Sequence, residues 1–71
     1  MTNLALIVRA TRDSARALHR MQVWSRQRDE AARARNVVQA QACARCYLRA
    51  AEDYGKAQAI LLANPLPSDG A

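Results

Sequence analysis

Seventy-one residues, eleven basic and six acidic, give a net charge of +5 and leave room for one small domain at most. A chain this short hides only ~60% of its unfolded surface and is marginal alone, so it calls for a disulfide, a metal or another copy of itself. Two cysteines three positions apart cannot staple a fold, and a single histidine offers a metal little, so self-association is the expected remedy.

The first glycine is Gly55 and the first proline is Pro65. The sequence before them is dominated by Ala, Arg, Leu and Gln, which are among the best helix formers. An unbroken helix of that length does not fit a compact small protein. The expected fold is therefore all-α: a two-helix antiparallel hairpin over residues 1–63, pairing with a second copy into a four-helix arrangement, with a flexible tail at 64–71.

The first helix is expected over about 3–25, with Thr2 or Asn3 as its cap, since a side-chain oxygen there accepts an orphan backbone N–H. At about 100° per residue, Leu4, Ile7, Thr11, Ser14, Leu18, Met21 and Ser25 fall on one stripe. Leu6, Val8, Ala10, Ala15, Ala17 and Trp24 flank it. The apolar arc is wider than the ~100° that one buried contact requires, so the helix is expected to touch the second helix and also another protomer. Opposite lie Arg9, Arg12, Arg16 and Arg20, with Asp13 spaced to pair with Arg9 and Arg16.

Continued forward, the first stripe meets Arg28, Ala32, Arg35 and Gln39, which are poor core residues. A turn is therefore expected near 25–29, where Asp29 can cap and Glu30 suits a helix N-terminus, with Asn36 as the alternative boundary. The second helix, about 29–63, carries a heptad seam of Ala40, Cys43, Tyr47, Ala50, Tyr54, Ala57 and Leu61. Alanine on a seam admits a close neighbour, and tyrosine fills the wider gaps with its hydroxyl at the edge. Arg49–Asp53 and Glu52–Lys56 are spaced as helical pairs on the wet face, and Asn64-Pro65 stops the helix.

Two surfaces follow. Leu4, Ile7, Leu18, Ala40, Cys43, Tyr47, Ala50, Tyr54, Ala57 and Leu61 are the expected dimer interface. Arg9, Arg12, Arg16 and Arg20, with Met21 and Trp24, are the expected partner-binding patch. Trp24 is placed at the end of the first helix, either as an interface anchor or as a cover for the bundle end. The Arg row can also lie along nucleic-acid phosphates, although no aromatic residues interleave with it for base stacking. Ten of the eleven basic residues are Arg and alanine is abundant. That composition matches a GC-rich genome, which raises charge without implying a phosphate ligand.

Cys43 and Cys46 spell C-x-x-C in mid-helix, where neither a strand nor a helix N-terminus activates a thiol. They are expected to be small seam hydrophobes, a zinc site shared across a dimer being the alternative. His19 has no readable catalytic companion. No enzyme and no cofactor is expected. The longest apolar run, Leu4–Val8, is far short of a membrane span, and free thiols suit the cytoplasm. The Arg-rich, acid-poor first twenty residues are read as an ordinary amphipathic surface helix rather than a targeting segment.

Small size, a wide apolar face, the lack of a catalytic motif and a GC-rich composition together resemble the short helical host-takeover proteins of bacteriophages, the anti-CRISPR and anti-activator kinds. That resemblance implies a stoichiometric inhibitor or adaptor that binds and occludes a host regulatory or defence protein.

Overall fold

The computed structural model describes residues 3–65. The chain is an all-α hairpin: α1 spans Leu4–Arg33 and α2 spans Val37–Ala63, packed against each other along their length. Thr2, the alternative first cap, and the tail beyond Pro65 lie outside the described residues. Asn3 is the cap of α1, its Oδ1 accepting the Leu6 N–H at 3.1 Å.

The junction sits at 34–36, so the turn expected near 25–29 is displaced and the Asn36 boundary is the one used. Nothing from Ser25 to Arg33 breaks a helix, and the stretch earns its place in the packing: Ala31 is buried and Arg28 is half-buried. The turn is a Schellman closure. The Asn36 N–H reaches the Ala31 carbonyl at 2.9 Å, and the Arg35 N–H reaches that of Ala32 at 3.0 Å. Arg35 takes the left-handed conformation this closure requires, φ 58°. Asn36 then caps α2, its side chain accepting the Gln39 N–H at 3.1 Å.

The α2 seam lies as the heptad places it. Cys43, Ala50 and Ala57 are buried, and Ala40, Tyr47, Tyr54 and Leu61 are half-buried. The α1 seam is rotated from the expected one. Its buried residues are Ile7, Ala10, Ser14, Ala17 and Ala31, with Met21, Trp24 and Arg28 half-buried between them. Ile7, Ser14 and Met21 belong to both rows. Leu4, Thr11 and Leu18 are exposed, however, and Ala10 and Ala17 fill the seam instead. Opposite Tyr54 and Leu61 on α2, the α1 seam takes small side chains, whereas Met21, Trp24 and Arg28 stand half-buried farther along it. The core is therefore thin, and its largest fully buried side chain is Cys43.

A hairpin so built is long and open. It measures 54 × 18 × 14 Å with a radius of gyration of 16.3 Å, against about 11 Å for a compact chain of this length.

Candidate interaction surfaces

Three cross-helix contacts fix the register. Gln58 Nε2 donates to the Ser14 hydroxyl at 2.7 Å, Arg20 pairs with Asp53 at 2.9 Å, and the Arg28 guanidinium lies 5.6 Å from the centre of the Tyr47 ring. Asp53 is thus drawn across the hairpin to Arg20 rather than along its own helix to Arg49. Among the described residues the only other ion pair is Arg28–Asp29 at 3.8 Å. The expected pairings of Asp13 with Arg9 and Arg16, and of Glu52 with Lys56, are not made. Long exposed side chains gain too little from such pairs to be held in one geometry.

One side of the hairpin is an open groove of about 850 Å³ between the helices. Its rim carries Arg16, His19, Arg20 and Lys56 along with Asp13 and Asp53, and its floor includes Ala57 and Ile60. With Asp53 and Arg20 engaged by each other, the rim keeps Arg16 and Lys56 against Asp13, a net of one positive charge with His19 neutral. No serine or cysteine lines the groove beside His19. Arg9, Arg12 and Arg16 continue the positive surface along α1 next to Leu4 and Val8.

The sequence-derived sites divide accordingly. Of the expected dimer interface, Ile7, Cys43, Ala50 and Ala57 are covered within the single chain and have no surface left to offer a second copy. Ala40, Tyr47, Tyr54 and Leu61 are half-covered by the same seam, whereas Leu4 and Leu18 stay 61% and 42% exposed. Of the expected partner patch, Arg9, Arg12, Arg16 and Arg20 are exposed, but Met21 and Trp24 are half-buried in the α1 seam. Trp24 stands in mid-helix rather than beside the turn, because α1 continues to Arg33. Cys43 is buried, its sulfur accepting from Gln39 Nε2 at 3.8 Å, and Cys46 is half-buried. Among the described residues no three His, Cys, Asp or Glu side chains converge.

Lys56, Asp53 and Ile60 were not singled out from the sequence as groove residues. Their signal was a matter of register: once the turn is set at 34–36, residues whose numbers sum to about 73 face each other, and Arg20 meets Asp53.

Comparison with protein-family models, with curated proteins and with solved structures gives no match for this chain. No helix among the described residues is long and apolar enough to cross a membrane.

Proposed function

We propose that this protein is a small non-enzymatic interaction module, a homodimeric inhibitor or adaptor that covers a partner protein with its basic groove. The observation that carries this is the composition of the groove: Arg16 and Lys56, in no ion pair among the described residues, stand with Asp13 and the Arg20–Asp53 pair around a floor containing Ala57 and Ile60. An acidic amphipathic helix fits such a surface, with its apolar residues on the floor and its carboxylates against the rim. The resemblance to phage host-takeover proteins makes a host regulatory or defence protein the target class, met in the cytoplasm.

Affinity capture from a bacterial lysate, with and without nuclease, tests this. A captured protein that survives nuclease and moderate salt, and is lost with Arg16→Glu plus Lys56→Glu, supports the proposal. Capture that disappears with nuclease overturns it in favour of nucleic acid. That alternative draws on Arg9, Arg12 and Arg16, which are exposed and form no ion pair among the described residues.

A further inference from the structure

Beside its α1-facing seam, α2 carries a second heptad row that the hairpin covers only in part, with Ala44, Ala51 and Gln58 half-buried and the other five positions exposed. It runs from Val37 to Leu62 in alternating steps of four and three and contains no charged residue. Val37, Leu48 and Leu62 on this row are 64%, 61% and 81% exposed. Gly55, in mid-row, meets nothing within 4 Å of where a Cβ would stand. The intramolecular fold therefore gives no reason for a glycine there, although a glycine inside a helix costs about 1 kcal/mol relative to alanine.

We propose that this row is a self-association seam on which α2 of a second copy packs antiparallel about a two-fold axis. The row is its own complement. Turned end for end about a point between Arg49 and Ala50, it sets Leu48 against the partner's Ala51, Ala44 against the partner's Gly55, and Val37 against the partner's Leu62. Each central layer includes a small residue, so the two backbones approach closely, and Gly55 gains its reason. Gln41 meets the partner's Gln58 at the remaining layer, where Gln58 keeps its amide on Ser14.

The flank agrees in charge. The positions next to the row are Val38, Arg45, Glu52 and Ala59. In an antiparallel pair this flank faces itself, which places Arg45 beside the partner's Glu52 twice per dimer and Val38, 76% exposed in the single chain, beside the partner's Ala59. Arg45 and Glu52 stand two turns apart on one helix and cannot serve each other. The chain exposes 5653 Å², whereas a compact monomer of 7.9 kDa exposes roughly 4,400 Å². The excess, roughly 1,250 Å², belongs to the elongated shape of the hairpin, and covering the row with a second copy removes part of it.

This inference deepens the homodimer of the proposed function by naming its surface. The groove lies on the other side of α2, so target capture and self-association can fail independently. The test is sedimentation equilibrium on the full chain, with circular dichroism to follow helix content. The wild type is expected to dimerise. Arg45→Glu and Glu52→Arg each put like charges together twice, and each is expected to weaken the dimer about tenfold. The combined Arg45→Glu/Glu52→Arg variant is expected to restore it. Gly55→Leu is expected to abolish the dimer while leaving the single chain helical, since the space at Gly55 is open within one copy. A wild type that stays monomeric up to millimolar concentration overturns the proposal. So does a dimer that Gly55→Leu leaves intact, or single charge reversals that the double reversal does not rescue.

Discussion

The side-chain amide of Gln58 donates to the hydroxyl of Ser14 at 2.7 Å, joining two helices through residues 44 apart in sequence. Ser14, 8% exposed, is the one buried polar side chain among the described residues, in a seam whose other fully covered residues are mostly alanines. A seam of alanines slides easily, because one alanine packs much like the next. This part-buried hydrogen bond favours one register, together with the Arg20–Asp53 and Arg28–Tyr47 contacts. Gln58→Leu removes the donor and leaves the hydroxyl inside. The expected cost is about 1 kcal/mol, at the low end for an orphaned group because the hydroxyl can turn back to the carbonyl one turn earlier. Ser14→Ala combined with Gln58→Leu is expected to recover most of that loss. Urea denaturation of the three variants at one fixed chain concentration reads both effects. A double variant no more stable than the single one would show that the bond does not act as a register pin.

Arg35 occupies a left-handed position with φ 58°, where a Cβ costs about 1–2 kcal/mol. The Schellman closure of α1 forces that conformation, and glycine is the residue it ordinarily selects. Arg35→Gly is expected to raise stability by roughly 0.5–1 kcal/mol, the relief of strain being partly offset by the freedom glycine adds to the unfolded chain. A rise in thermal midpoint at matched concentration is the expected readout. An unchanged or lower midpoint would mean that the arginine side chain contributes at the turn.

The second helix was legible because its seam is written in two contrasting sizes, tyrosine and alanine, at strict heptad spacing. Its three buried residues, Cys43, Ala50 and Ala57, are all on the row read from sequence. The first helix was harder to read because its largest apolar residues are not its core. Leu4 and Leu18 draw the expected stripe toward themselves, whereas packing against α2 covers Ala10 and Ala17 on the neighbouring row. The turn was misplaced for a related reason. Arg28 looked too polar for the seam, yet its guanidinium lies over Tyr47, so α1 runs on to Arg33. The basic groove needed the register itself, since its rim draws on residues from both helices, Arg20 and Asp53 among them.

The same narrow seam makes Ala50 a sensitive position. It is 1% exposed and sits midway along α2. Ala50→Leu adds three carbons where two backbones already lie close, and overpacking of that kind costs about 1–3 kcal/mol. The added bulk has no room beside Tyr47 and Tyr54 on the same row, so the helices must separate. Denaturant midpoint and tyrosine fluorescence are expected to report a looser hairpin of unchanged helix content. A stabilised Ala50→Leu variant would contradict the close approach of α1 and α2.

Salt dependence separates the two candidate ligands of the basic surface. Arg20 is held by Asp53, which leaves Arg9, Arg12 and Arg16 as the row on α1 with no ion pair among the described residues. Each phosphate neutralised on duplex DNA contributes about −0.9 to the slope of log affinity against log salt. Contact through these three guanidinium groups alone gives a slope of about −3 per protomer, which is the signature of weak, sequence-independent contact. Arg12→Glu with Arg16→Glu is expected to flatten it further. Binding to an acidic protein surface with an apolar floor is expected to persist at salt that abolishes DNA retention, because burial of the floor residues is not screened. A DNA slope much steeper than −3, measured by fluorescence anisotropy of a labelled duplex, would identify additional phosphate contacts and move the function toward nucleic acid.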